Sequence, residues 1–158
     1  MILHSRLLNK FFLFVACATW IAACEPESPD EHQHDDMNGD MDFSSSQTSS
    51  DGAFFIMYTA DPDPIPLDQN FNLTFMVHDG EDHNTILEDV ESLSLDATMP
   101  GHGHGMNTTP TVTKNENGTF AVEGMLFHME GHWKVTVETT RSGTTEDTTF
   151  NVNCCEGS

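Results

Sequence analysis

The sequence predicts an all-β domain: an immunoglobulin-like antiparallel β-sandwich of about seven strands, preceded by a disordered acidic tether. Three observations predict it. Between residues 53 and 153 the apolar residues recur with period two in short runs, the spacing of strands with one buried face. Turn-forming clusters such as DPDP, HDGED, NENG and RSG separate those runs. The same region lacks the i, i+3, i+4 recurrence of an amphipathic helix.

The runs follow in order. Residues 53–60 (AFFIMYTA) form the first expected strand, ended by DPDPIPLDQ. In residues 70–78, Phe71, Leu73, Phe75 and Val77 alternate toward one face. Residues 90–97 carry Leu93 and Leu95 in the same phase. After a glycine- and histidine-rich loop come residues 110–114, the NENG turn and residues 119–127. Residues 132–140 place Trp133, Val135 and Val137 on one face and Lys134, Thr136 and Glu138 on the other. The last strand is 145–153. Trp133 is expected to anchor the core, and no conventional disulfide framework is present.

The N-terminus reads differently. Arg6 and Lys10 precede an apolar run, and the run ends in Ile21-Ala22-Ala23-Cys24. That layout is a secretory signal over residues 1–23, and its end resembles the lipobox of bacterial lipoproteins, with cleavage before Cys24 and lipid on its sulfur. Acyl chains on Cys24 would hold the protein on a membrane surface of the bacterial cell envelope without a spanning helix. Residues 24–52 are acidic and Ser-rich, the composition of a flexible tether. They also carry His32, His34, Met37 and Met41, either polar filler or a loose metal-scavenging arm. The sandwich is expected over 53–153 and a short tail over 154–158. Beyond Cys24, 26 acidic residues stand against Lys114, Lys134 and Arg141, a formal balance of −23. Such a surface repels nucleic acid and attracts cations.

In a sandwich of consecutive antiparallel strands, alternate loops lie at the same end. Parity puts the loops after the first, third and fifth strands at one rim, with the end of the last strand. That rim collects Met99, His102, His104 and Met106 of the glycine-rich loop TMPGHGHGM. It also collects His128, Met129 and His132, and the adjacent Cys154 and Cys155. Gly101, Gly103 and Gly105 would let the backbone curl so that imidazoles and thioethers face one ion. Thioether sulfur binds hard cations poorly, so imidazole with methionine points to copper, Cu(I) above all, with zinc through the histidines alone as the weaker choice. Met129, Cys154 and Cys155 are additional candidate ligands. Met125 and Met129 also suit core filling. The two cysteines could form a vicinal disulfide, pair between molecules or bind soft metal.

The run Leu93-Ser-Leu-Asp-Ala-Thr-Met99-Pro-Gly-His102-Gly-His104-Gly-Met106 resembles the YtkA-like domain family. So do Pro110-x-Val112, Gly118-Thr-Phe120 and Phe127-His128-Met129-Glu130-Gly131-His132-Trp133-Lys-Val135. The resemblance spans about residues 54 to 153. It implies a small extracytoplasmic Ig-like domain associated with copper handling. FixH-type proteins look like distant relatives that carry a transmembrane helix. Periplasmic copper chaperones use a spaced His/Met set, whereas His128 and Met129 are adjacent here.

The leading expectation is a lipid-anchored copper-binding protein for buffering, resistance or delivery, with a copper-donating or copper-receiving protein as partner. The alternative is a non-catalytic Ig-like interaction module without metal. An enzyme is not expected: no nucleophile triad, paired catalytic carboxylates, phosphate loop or dinucleotide fingerprint is visible.

Overall fold

A computed structural model describes residues 41–155. The signal, Cys24, His32, His34 and Met37 lie outside the described residues. Nine strands follow in chain order: β1 (Ser46–Thr48), β2 (Phe54–Asp61), β3 (Asn70–Asp79), β4 (Ser92–Met99), β5 (His104–Gly105), β6 (Thr111–Lys114), β7 (Phe120–Leu126), β8 (Gly131–Arg141) and β9 (Thr144–Cys154). They form two antiparallel sheets, ordered β1-β2-β3-β7-β6 and β5-β4-β8-β9. Without the two shortest strands, β1 and β5, this is the four-plus-three arrangement of an immunoglobulin constant-type sandwich. The described residues contain no helix, and so none long and apolar enough to cross a membrane.

The period-two pattern builds the core. Phe54 and Ile56 of β2, with Phe71, Leu73, Phe75 and Val77 of β3, are buried from one sheet. Trp133, Val135, Val137 and Phe150 are buried from the other. Each such side chain contributes about 1.5–3 kcal/mol of burial. One irregularity matters for the rim. On β7, Val122 pairs with Leu73 but Met125 with Phe71, so the chain gains one residue at Glu123-Gly124. Gly124 adopts φ 84°, the left-handed conformation that glycine takes without penalty. The extra residue shifts parity, and Met125 and Phe127 turn inward, each fully buried. Met125 is therefore core.

The ordered domain takes in residues that composition assigns to the tether. Strand β1 pairs with β2, Ser46 opposite Met57 and Thr48 opposite Phe55. The turn after it is pinned by a buried carboxylate. Glu146 Oε2 accepts from the Ser49 hydroxyl at 2.6 Å and from the backbone N–H groups of Asp51 and Ala53 at 3.1 Å. The same hydroxyl accepts from Phe54 N–H at 2.9 Å. A Ser-rich segment looks disordered when its partner lies about a hundred residues away, beyond any local pattern.

The Ser49 hydrogen bond, more than the backbone N–H groups, holds the Glu146 carboxyl below its ordinary value of 4.5. A depressed folded value means that the stabilisation is present above the ordinary value and is lost as pH falls through the folded one. Glu146→Ala is expected to destabilise by about 1–3 kcal/mol, since it removes the charged acceptor of the buried Ser49 hydroxyl and of two part-buried N–H groups. Urea titrations at pH 7 and pH 3 check this: the variant's deficit shrinks at the lower pH.

Candidate functional site

The glycine-rich loop folds into a tight hairpin. The N–H groups of His102 and Gly103 both donate to Met99 C=O, at 3.1 and 2.9 Å. Strand β5 then pairs back onto β4, His104 opposite Met99 and Gly105 opposite Thr98. Of the three glycines only Gly103 has positive φ, at 69°. Gly105 is needed for space, because a Cβ there would lie 3.0 Å from Ala97 C=O. The backbone is thus more fixed than glycine content suggests. Directly opposed residues of a sheet share a face, so His104 points to the side on which Met99 is buried.

Three imidazoles form a row along this rim. The His102 and His104 rings are 5.7 Å apart, and those of His104 and His128 are 5.0 Å apart. Beneath them lies Trp133, fully buried, with its ring edge-on to His104 at 6.1 Å and to His128 at 5.5 Å. Trp133 is fixed by a 4.4 Å stack on Phe127 and by donating from Nε1 to Met129 C=O at 3.0 Å. The role of Trp133 as floor of the histidine row was not read from the sequence. The spacing of His128 and Trp133 at a strand entry is the signal that could have shown it.

Two details bear on ligation. His104 Nδ1 lies 3.2 Å from Gly105 C=O; as donor there, it leaves Nε2 with a free lone pair. His128 Nδ1 is buried with no hydrogen-bond partner among the described residues, an unusual state for a buried polar atom. Met99 is buried beside the row, and Met106 and Met129 are half-buried against the core. Among the described residues, no group of three or more His, Cys, Asp or Glu is arranged to hold a metal ion. Any soft-metal site here would draw on the thioethers and on a rotation of His102, which is exposed at the hairpin turn.

Other expected residues are placed elsewhere. His132 sits on the outer face of β8, because its neighbour Trp133 points in; its Nε2 pairs with Asn151 Oδ1 at 2.9 Å. The Phe43 ring packs edge-on against it at 6.0 Å. Cys154 and Cys155 are joined by a vicinal disulfide, so neither offers a thiolate. His78, at the end of the sandwich opposite the histidine row, is buried with both ring nitrogens unpartnered among the described residues. The loop parity otherwise appears as expected. Asp63 lines one groove with Cys155 at the rim, while Gly52, Asp79 and Ser142 line another at the opposite end.

The family model described as YtkA-like matches residues 47–138. The matched span covers more than half of the chain, from β1 into β8, and includes the hairpin, His128 and Trp133. The chain belongs to the YtkA-like family. No curated protein and no solved structure gives a significant match.

Proposed function

We propose that this YtkA-like protein is a non-catalytic, extracytoplasmic copper-binding module, lipid-anchored through Cys24, that holds Cu(I) for buffering, resistance or delivery to a partner. The site would draw on His102, His104 and His128, with the thioethers of Met99 and Met106. The observation that carries the reading is the row His102–His104–His128 beside Met99, in which His128 Nδ1 is buried without a partner among the described residues. A bound ion would satisfy that nitrogen. Imidazole and thioether together suit Cu(I) better than zinc, calcium or magnesium. An exposed hairpin turn lets ligands exchange one at a time, as transfer between proteins needs. His132 is left out, since it faces away and is already hydrogen-bonded.

Thermal unfolding of the full-length protein with and without Cu(I) tests the reading. At a hundredfold excess over Kd, Cu(I) is expected to stabilise by about 2.7 kcal/mol. His132→Ala should keep that stabilisation and His104→Ala should lose most of it. An unchanged wild-type Tm would instead favour the second reading, a metal-free interaction module. Its support is exposed Phe43 and Met41, at the start of the domain and apart from the His102–His104–His128 row.

A further inference from the structure

The Cys154–Cys155 disulfide closes the core at the end of β9 and lies outside the histidine row, and its two cysteines have different surroundings. Strand β9 alternates Phe150, Val152 and Cys154 inward, and Cys154 is buried. Cys155 follows the strand and turns into the groove lined by Tyr58, Asp63, Ile65 and Asn153, where it is only half-buried. Cys155 is thus the more exposed half of the disulfide, the side on which an incoming thiolate would attack with Cys154 as the leaving group.

Cys154 also lies beside the rim. It pairs across the sheet with Gly131, which presents no side chain there. A Cβ on Gly131 would sit 3.4 Å from the Met99 methyl group. Met99 and Cys154 thus flank the same glycine.

We propose that Cys154–Cys155 is an exchange-active disulfide whose reduction by a dithiol, entering at Cys155, adds the Cys154 sulfur as a soft ligand beside Met99. This rests on the copper reading of the rim. A thiolate of the external dithiol bonds to Cys155 Sγ while the Cys154–Cys155 bond breaks, and Cys154 leaves as a thiolate. The second thiol of the reductant then attacks its partner sulfur in the mixed disulfide, releasing Cys155. The dithiol is oxidised to a disulfide, and two electrons and two protons pass to the cysteine pair. The Cys154 thiol loses its proton on binding Cu(I). Copper affinity would then follow the thiol–disulfide state of the compartment.

Two measurements on the full-length protein test this. Oxidised glutathione should form a mixed disulfide on the C-terminal peptide of Cys154→Ser at least about tenfold faster than on that of Cys155→Ser, because Cys154 is buried. Cu(I) affinity is then measured by competition in the disulfide and dithiol states, with ascorbate in place of a thiol reductant. The dithiol state of the wild type should bind at least about tenfold more tightly. Cys154→Ser should bind with the disulfide-state affinity under both conditions. Equal wild-type affinity in the two states, or tight binding that survives Cys154→Ser, would overturn this inference and leave the rim site standing. Absence of Cu(I) binding in the disulfide state would overturn the rim site and this inference together. The wild-type comparison needs no variant to fold.

Discussion

Replacing Trp133 by alanine is expected to lower stability by about 3–5 kcal/mol, the range for a buried aromatic truncation. Among the described residues Trp133 is the largest fully buried side chain, stacked on Phe127 and tied by Nε1 to Met129 C=O. Its loss leaves a cavity between the sheets and removes the surface on which His104 and His128 rest. Trp133→Phe keeps the aromatic contact and loses the hydrogen bond and part of the volume, so it should cost about 1–2 kcal/mol. Urea unfolding followed by circular dichroism, with an unchanged m-value, would report both. The phenylalanine variant is also expected to bind Cu(I) more weakly, because the histidine row loses part of its floor.

The double substitution His104→Ala with His128→Ala carries the second large effect, and it separates function from folding. Cu(I) affinity should fall by about a thousandfold or more, since two ligands at about 2 kcal/mol each are removed. Stability without copper should hardly change. His104 is only half-buried, and among the described residues His128 Nδ1 makes no hydrogen bond that its removal could break. A structural histidine pair would behave the other way, with a loss of stability that copper does not alter. Urea titrations of both proteins, each with and without Cu(I), distinguish the two.

The fold was largely legible because alternation is a local signal. Phe71, Leu73, Phe75 and Val77 name their own face, and so do Trp133, Val135 and Val137. Parity of antiparallel strands then sufficed to bring the glycine-rich loop, His128 and the Cys154–Cys155 pair to one rim. What escaped depends on partners distant in sequence. Strand β1 is held by pairing with β2, and the Ser49 turn that follows it by Glu146, so no pattern within SSSQTSS announces either. Strand β5 is two residues long and exists because His104 and Gly105 fold back on β4. His132, expected among the rim ligands, turns outward instead, as the neighbour of inward-facing Trp133 must under period two. The single-residue bulge at Gly124 sets which of Met125, Phe127 and His128 points inward, and a period-two template carries no insertion.

The central claim is that the rim binds Cu(I), and a competition titration of the full-length protein tests it most directly. Cu(I), Cu(II) and Zn²⁺ would each be titrated against a chromogenic competitor. The comparison protein carries alanine at His102, His104 and Met106. The account predicts that Cu(I) binds most tightly, and that the triple substitution weakens it by at least about a thousandfold while the unfolding curve without metal is retained. Absence of Cu(I) binding by the wild type, or binding unchanged by the triple substitution, would contradict the account and leave an acidic Ig-like interaction domain in its place.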